Sequence, residues 1–430
     1  MLIKSLSLSD WRQFGAVDIS FHPQLTILTG SNGAGKSTLL KIISQAFGQY
    51  EVLIATPFLS RDRSLKYNSG VLNPKLSLSK DYMINMFNKI GSIKLGNDQN
   101  YLLQVPKDTG ASYNVTIFKD QVSHLEQLTA ISDLKGIFIR SHRPITSYQQ
   151  VGNIPTNIIT AQNAFAAYQE TMSNFLNNNY TQYSSTYRIK EAIISMATFG
   201  PGNQNVQGNE IINDIYINFK AILHKILPPE IGFKDISVRM PDVVLVTDSG
   251  DFILDSSSGG LMSLIDLAWQ IFLFSIDNPS FTVLLDEPEN HLHPSMQRTV
   301  MVSLLNAFPN VQFIVATHSP FVVTSVKDSY VYVLRHEKSK ELNIPKRIFS
   351  EALNTANKSA TASETLRDVL GVPVTMPMWA EDEINKIAQK LSAEPFSEKT
   401  LDKLRGELSK TGLDEHFPSA LNRLLENKND

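Results

Sequence analysis

The sequence contains no cysteine and no long apolar run, and each absence excludes a class of protein. Without cysteine the chain can hold no disulfide, no thiolate metal site and no cysteine nucleophile. The longest apolar runs, such as Ile271–Ile276, fall far short of the roughly 20 residues that a membrane helix needs. The N-terminal residues lack the basic start and apolar core of a secretory signal. We therefore predict a cytoplasmic protein without membrane contact.

A strong excess of one charge is lacking as well. The 39 basic and 42 acidic residues give a formal net charge of −3. This balance argues against a general grip on nucleic acid, but it leaves room for a local basic groove. The chain has 430 residues, of which 42% are hydrophobic, and that is enough for two or three lobes around a sizeable core.

Apolar periodicity divides the chain into strand-like and helical regions. The third of three predicted N-terminal strands, Leu25–Thr29, runs through glycine-rich sequence into a helical pattern. The stretch from Trp379 to Asp430 is densely charged, with 11 acidic and 8 basic residues among 52, and its apolar residues have helical spacing. We predict an α/β fold in three parts. The first is a sheet-containing head at 1–50 and 235–345, which also includes part of an irregular β-containing lobe at 50–155. The second is an inserted helical lobe at 156–234, and the third is a helical assembly or docking region at 346–430.

The segment after the third strand has the form of a phosphate-binding loop. Its glycines let successive backbone N–H groups point inward at a polyanion, and the helix behind them aims its positive end at the same place. Lys36 is placed to reach the β- and γ-phosphates, and the Ser37 hydroxyl to ligate Mg²⁺. A chance match is expected in about 2 of 100 chains of this length. The predicted nucleotide-binding residues are Gly30, Ser31, Asn32, Gly33, Ala34, Gly35, Lys36, Ser37 and Thr38.

An apolar strand that ends in two carboxylates follows much later, at Phe281–Glu287. The carboxyl end of a strand in such a sheet lies at the same edge as the phosphate loop. Asp286 is therefore predicted to hold Mg²⁺ and Glu287 to polarise the attacking water. Many buried strands end in acidic residues, so the pattern gains its weight from following a phosphate loop in the same chain.

The next predicted strand, Gln312–Ala316, leads into Thr317 and His318. A lone histidine is most often structural. One strand after the acidic pair, however, it lies where an imidazole can sense the γ-phosphate. We predict His318 and Glu287 as the catalytic residues.

A second Ser/Gly loop, Ser256–Gly260, precedes another helical pattern. It is either a flexible turn or a second anion-binding helix start. Because one chain cannot usefully aim two such loops at one γ-phosphate in this sheet, we predict that this loop binds the nucleotide held by a partner copy.

With these four elements in this order the sequence resembles the ABC ATPases, most closely the soluble branch of RecF, the SMC-type ATPases and the overcoming-lysogenization-defect (OLD) family. The resemblance implies ATP and Mg²⁺ as cofactors, with Ser37 and Asp286 at the metal, and a homodimer or higher oligomer closed through composite ATP sites. It assigns Asn290–Pro294 to the D-loop and His318 to the switch histidine.

The signature loop of this family corresponds to Ser257, Ser258, Gly259 and Gly260. The family's leading leucine and closing glutamine or glutamate are missing here. The resemblance places Ser257 and Gly259 at the γ-phosphate of the partner. It identifies no Q-loop glutamine.

Within this branch the sequence is similar to the ATPase subunits of bacterial anti-phage systems, such as PtuA of Septu and AriA of PARIS. The segments Ser141–Pro144 and Gly371–Pro377 carry this likeness. It implies a sensor or scaffold ATPase that controls a separate effector, commonly a nuclease. OLD-type nuclease domains need an Asp-x-Asp pair that is missing after His318, and Glu381–Glu383 fall on a predicted amphipathic helix. No nuclease activity of its own is expected.

Two alternatives stay open at this point. A RecF- or SMC-like ATPase that acts directly on DNA in repair would need a basic groove across the dimer, whereas a defence ATPase would need an apolar docking face outside the head. The ATP subunit of a transporter fits poorly, because roughly 220 residues separate Ser37 from Ser256.

Overall fold

The computed structural model of the chain describes residues 1–49, 51–71, 86–120, 125–142, 148–154, 159–337, 347–353, 361–370, 376–392 and 395–429. The chain divides into two compact units. The first comprises Met1–Thr365 and Val369–Gly371, and the second comprises Leu366–Asp368 and Val372–Asp430. Every residue predicted to act on a nucleotide lies in the first unit.

The strands of the described residues all lie in the first unit. They are β1 (Ile3–Trp11), β2 (Phe14–Ser20), β3 (Leu25–Gly30), β4 (Leu53–Ile54), β5 (Thr56–Leu59), β6 (Leu65–Asn68), β7 (Phe87–Leu95), β8 (Asn100–Pro106), β9 (Ser112–Tyr113), β10 (Thr116–Asp120), β11 (Leu125–Leu128), β12 (Gly136–Ile139), β13 (Phe233–Arg239), β14 (Asp242–Thr247), β15 (Phe252–Ile253), β16 (Phe281–Asp286), β17 (Val311–Ala316), β18 (Tyr330–His336) and β19 (Ile348–Ala352).

The helices of the described residues are divided between the two units. They are α1 (Lys36–Gln45), α2 (Ala161–Leu176), α3 (Ser185–Phe199), α4 (Glu210–Ile226), α5 (Gly259–Asp277), α6 (Pro294–Ala307), α7 (Pro320–Val323), α8 (Ala362–Glu364), α9 (Met378–Ser392), α10 (Glu398–Lys410) and α11 (Phe417–Asn429). A short 3₁₀ turn at Leu254–Ser256 directly precedes the predicted signature loop.

One mixed sheet of 12 strands is the frame of the first unit, in the order β11-β10-β8-β7-β1-β2-β19-β18-β3-β17-β16-β12. Its last five strands, from β18 to β12, are parallel. The strands β3, β16 and β17 are buried along their whole length, as expected for parallel strands covered on both faces. Their carboxyl ends lie at one edge, and the phosphate loop, Glu287 and Thr317 follow these ends directly.

The other half of the sheet is antiparallel from β11 to β2. The strands predicted as an irregular lobe at 50–155 therefore mostly continue the main sheet, and β12 adds a parallel edge strand beside β16. The prediction of a helical region from residue 346 is wrong for its first residues, because β19 pairs with both β18 and β2. The sequence of β19 shows no strand pattern, because only Ile348 among its five residues is buried. Its pairing with distant strands fixes it.

The helical segment predicted at 156–234 contains α2, α3 and α4, which pack with α5 in a common core. That core joins Tyr168, Ile193, Phe219 and Trp269 to sheet residues such as Ile27. The prediction that the chain has no stretch fit to cross a membrane needs a correction. Helix α5 is long and apolar enough to do so, with a mean hydropathy of 1.5, but 67% of this window is buried inside the protein. Core packing accounts for its apolar character.

The second unit has its own small core. The apolar stripes of α9, α10 and α11 meet there, with Ile384, Leu404, Leu408 and Leu424 fully buried. Arg423 on α11 pairs with Glu381 on α9 at 2.6 Å, which gives the first residue of the acidic cluster Glu381–Glu383 a structural partner.

Candidate functional site

The loop between β3 and α1 has the backbone of a phosphate-binding loop. Gly30, Gly33 and Gly35 all have positive φ, at 138°, 77° and 85°. A Cβ at Gly30 would collide with the carbonyl of Leu334 on β18, and one at Gly35 would lie 2.5 Å from the ring of Phe14. Glycine is required at both positions because the backbone is left-handed and the neighbours leave no room.

Lys36 is the first residue of α1 and lies mostly buried beneath this loop. Its Nζ donates to the carbonyls of Gly30 at 3.1 Å and Ser31 at 3.2 Å. Burial lowers the pKa of Lys36 from 10.5 to about 8, although Glu287 and Asp286 oppose the shift. Two carbonyl acceptors are a weak substitute for phosphate oxygens, so the ammonium group is free to change partners when an anion enters.

The predicted Mg²⁺ ligands lie side by side. The hydroxyl of Ser37 donates to Oδ1 of Asp286 at 3.1 Å, although 249 residues separate them in the chain. Burial raises the pKa of Asp286, and the hydrogen bond from Ser37 opposes this. A hydroxyl and a carboxylate at one point are the hard oxygen donors that Mg²⁺ takes beside nucleotide phosphates. These residues therefore fit the cation, which would supply charge neutralisation at the phosphates.

Glu287 follows directly after β16 in a left-handed turn. Its φ is 49°, and its backbone N–H donates to the carbonyl of Ala316 at 2.8 Å. The side-chain amide of Asn290 donates to Oε2 of Glu287 at 3.0 Å and lies 3.3 Å from the carbonyl of Ser141. A left-handed conformation is uncommon for a residue other than glycine. The turn keeps this carboxylate at the sheet edge beside Asp286.

A third carboxylate, which the sequence analysis did not single out, organises the loop of His318. Oε1 of Glu289 accepts from the Thr317 hydroxyl at 2.6 Å, from the His318 N–H at 2.9 Å and from the Ser319 N–H at 3.2 Å. Burial raises the pKa of Glu289, and these hydrogen bonds oppose the rise. Glu289 thus fixes the backbone that carries the histidine. The only sequence signal is its place two residues after Glu287.

His318 itself is partly buried at the same edge. Burial lowers the pKa of its imidazole, Lys36 lowers it further, and Glu287 opposes both. A neutral imidazole can donate one hydrogen bond and accept another, which suits contact with a phosphate oxygen. The structure therefore brings Lys36, Ser37, Asp286, Glu287 and His318 to one edge of the sheet.

The predicted signature loop is a separate feature at the start of α5. Ser258 caps the helix, since its side chain accepts from the N–H of Leu261 at 3.3 Å. Ser258 and Gly259 are exposed, whereas Oγ of Ser257 is buried and has no hydrogen-bond partner in the described structure. The hydroxyl expected at the partner's phosphate therefore faces inward, and that of Ser258 faces outward. Gly260 packs against His291, where a Cβ would lie 2.9 Å from the carbonyl oxygen.

No hydrogen bond or ion pair joins residues 256–260 to residues 30–38, both of which lie in described ranges. Of the segments that suggested a defence ATPase, Arg143, Pro144 and residues 371–375 lie outside the described residues.

Two family models of AAA domains match the parts of the chain that build this site. One, described as "AAA domain, putative AbiEii toxin, Type IV TA system", matches residues 246–324, which hold the predicted signature loop, Asp286, Glu287 and His318. The other, described as "AAA domain", matches residues 5–52, which hold the phosphate loop.

Curated relatives match the chain over most of its length. The retron Ec83 probable ATPase of Escherichia coli is 23% identical over 99% of this chain and 86% of its own. The retron Vc95 probable ATPase of Vibrio cholerae is 23% identical over 86% of this chain and 80% of its own. The Septu protein PtuA of Bacillus thuringiensis is 20% identical over 89% and 87%.

Among solved structures, the SMC head domain from Thermotoga maritima is similar at a TM-score of 0.44 and 14% identity, over 82% of this chain and 100% of that one. With the family models over both halves of the nucleotide site and relatives over nearly the whole length, the chain is an AAA-family ATPase homologous to the retron ATPases and to Septu PtuA.

Proposed function

We propose that this chain is the cytoplasmic ATPase subunit of a bacterial anti-phage defence complex, in which ATP-dependent pairing of two copies controls a separate nuclease effector. The observation that carries the proposal is the similarity to retron and Septu ATPases over most of the chain. It is supported by the glycine-rich loop before α1 and by the contact between Ser37 and Asp286, which we propose as the phosphate loop and the Mg²⁺ ligands. The relatives are components of named defence systems, so the ATPase is proposed to work as a switch within such a system.

Pairing of two copies follows from the exposed signature loop. The N-terminal turn of a helix leaves backbone N–H groups without partners in the helix, and its dipole favours an anion there. Ser258 and Gly259 present such a turn to solvent, and no hydrogen bond ties it to the phosphate loop of its own chain. An ATP molecule held by Lys36 of one copy supplies the missing anion for the loop of the other. ATP and Mg²⁺ thereby become part of the interface.

Mixing two inactive variants tests the shared site. Lys36→Ala removes a phosphate contact, and Ser258→Arg blocks the signature loop with a bulky side chain. In a mixed dimer the two defects coincide in one site and leave the other intact, so some activity should return. No recovery at any mixing ratio, with mixed dimers confirmed by mass, contradicts the shared site.

A plating assay tests the defence role. The gene is expressed with its chromosomal neighbours in a phage-sensitive host, once as wild type and once as Lys36→Ala. The proposal expects that wild type lowers the efficiency of plating of at least one phage and that the variant does not. Co-purification of the neighbouring gene product identifies the effector.

Direct action on DNA in repair, as in a RecF- or SMC-like ATPase, is the alternative. It is favoured by a stretch that is 44% identical over 43 residues to the DNA replication and repair protein RecF of Paenarthrobacter aurescens. Stimulation of ATP hydrolysis by duplex DNA in the absence of any other protein, falling steeply with salt, would support this alternative. No stimulation by DNA, together with phage protection, supports the defence role.

A further inference from the structure

Behind the signature loop lies a fully buried cation that the nucleotide site does not use. Lys190, on α3, has no exposed surface. Its Nζ lies 2.7 Å from Oδ2 of Asp255, 3.4 Å from Oδ1 of Asp242 and 2.6 Å from the carbonyl of Gln149. The ring of Tyr148 lies 5.1 Å from the same nitrogen, and its hydroxyl donates to Asp242 at 3.1 Å.

The position of Asp255 gives this cluster its meaning. Asp255 is the middle residue of the 3₁₀ turn Leu254–Ser256, and only 2% of its side chain is exposed. The N–H of Ser257 closes that turn on the carbonyl of Leu254 at 3.1 Å, and Ser258 then caps α5. The carboxylate on Lys190 is therefore three residues from the exposed cap of the signature loop.

A buried ammonium group is costly unless its partners stay in place, because an unpaired charge in the interior loses its hydration. An apolar side chain would fill the same space without that cost. The pair consequently specifies one position of the turn rather than simply filling the core. Moving Asp255 away would leave both charges poorly compensated.

We propose that Lys190 and Asp255 are positioning residues. Their ion pair fixes the turn before the signature loop, and so keeps the loop in the position in which it contacts the nucleotide of the partner copy. The inference rests on the composite site proposed above. It also gives the helical segment 156–234 a role, because Lys190 on α3 of that segment fixes the signature loop, which lies elsewhere in the chain.

The decisive comparison uses the two carboxylates of the same lysine. Asp255→Asn breaks the charged contact to the loop but leaves Lys190 its contacts to Asp242 and Gln149. Asp242→Asn is the matched control, because Asp242 belongs to β14 and not to the loop. We expect kcat at saturating ATP to fall about tenfold in Asp255→Asn and to stay within about twofold in Asp242→Asn. The Kd of the monomer for ATP should be unchanged in both, since Lys36 is untouched.

Complementation locates the defect. Asp255→Asn mixed with Lys36→Ala should regain activity, because the mixed dimer has one site with an intact phosphate loop and an intact signature loop. If activity returns when Ser258→Arg is mixed with Lys36→Ala but not when Asp255→Asn is mixed with Lys36→Ala, the positioning role is overturned. Equal losses of kcat and Tm in Asp255→Asn and Asp242→Asn also overturn it, since the cluster would then serve the fold alone.

If mixing Ser258→Arg with Lys36→Ala restores no activity, the composite site is contradicted instead. The ratio of kcat between Asp255→Asn and Asp242→Asn then tests the positioning role separately. If Asp255→Asn does not fold, Asp255→Glu replaces it. That variant keeps the charge but displaces the turn, and wild-type turnover in it overturns the proposal.

Discussion

The side-chain amide of Asn290 lies 3.0 Å from Oε2 of Glu287 and 3.3 Å from the carbonyl of Ser141. Both amide hydrogens thus have an acceptor. Ser141 follows β12, the edge strand beside β16, so the two strand ends are joined through one side chain. The carboxylate that we propose to act on water is consequently held by a residue three positions later in the chain.

Replacing Asn290 by alanine should weaken catalysis without weakening binding. Glu287 then loses a donor and samples several rotamers, so we expect kcat to fall about tenfold while the Kd for ATP stays the same. Single-turnover hydrolysis with a fluorescent ATP analogue measures both quantities. Asn278→Ala, which removes a hydrogen bond to Phe274 at the end of α5, is the control and should turn over normally.

Glu287→Gln should bind ATP and hardly hydrolyse it. The amide keeps the shape of the side chain but cannot accept a proton from water, and a loss of at least about 100-fold in kcat is expected. The variant should accumulate as an ATP-bound dimer, visible as a doubled mass in light scattering. Hydrolysis at the wild-type rate would show that another group activates the water.

ATP binding without metal should weaken above about pH 8. Burial lowers the pKa of Lys36 to about 8, so the free protein loses this charge as the pH rises through that value. The Kd for ATP in EDTA should increase by up to about tenfold per pH unit above 8. Lys36→Arg keeps its charge throughout, and its Kd should be flat over the same range.

The same shift affects the folded protein alone. The native chain sheds the Lys36 proton at about 8 and the unfolded chain only at 10.5, so the unfolded state binds more protons between these values. The contribution of Lys36 to the free energy of unfolding therefore rises with pH in that window. Falling stability of the wild type relative to Lys36→Met between pH 8 and 10 would contradict the direction.

Removal of the second unit should separate assembly from nucleotide binding. A chain truncated after Leu370 keeps every site residue, so ATP binding should persist. If the C-terminal helices mediate assembly or effector docking, the mass in ATP or the capture of the effector should change. Met378→Ser with Trp379→Ser, at side chains that are 82% and 62% exposed, tests the surface with the unit in place. If the truncated chain has an unchanged mass and still captures the effector, the second unit serves neither assembly nor docking and only stabilises the protein.

The strands β3 and β17 were predictable, because the features that define them lie within a few consecutive residues. The predicted strand Leu25–Thr29 is observed as Leu25–Gly30, and Gln312–Ala316 as Val311–Ala316. A buried parallel strand must be apolar throughout, and a glycine-rich loop must follow if a phosphate is to be approached. These requirements act within a few residues, so the sequence displays them directly.

The supporting contacts were not predictable, because they join residues distant in the chain or turn on backbone geometry. Glu289 reaches the N–H groups of His318 and Ser319 some 30 residues away, and a carboxylate two positions after the catalytic one looks like an ordinary loop residue. Ser257 was favoured over Ser258 at the γ-phosphate, but the 3₁₀ turn before them rotates the first hydroxyl inward. Local periodicity contains no information on such a rotation.

The contact of Gly30 with Leu334 on β18 has a consequence for the chain while it is being synthesised on the ribosome. The phosphate loop is complete by residue 38, but β3, which carries it, pairs with β17 and β18 on its two sides, and Gly30 abuts Leu334. Until about three quarters of the polypeptide has emerged, the loop lacks both flanking strands, and Ser37 lacks Asp286. We therefore expect the chain to capture nucleotide only after β18 has left the exit tunnel, so a nascent chain arrested before that strand should retain no ATP.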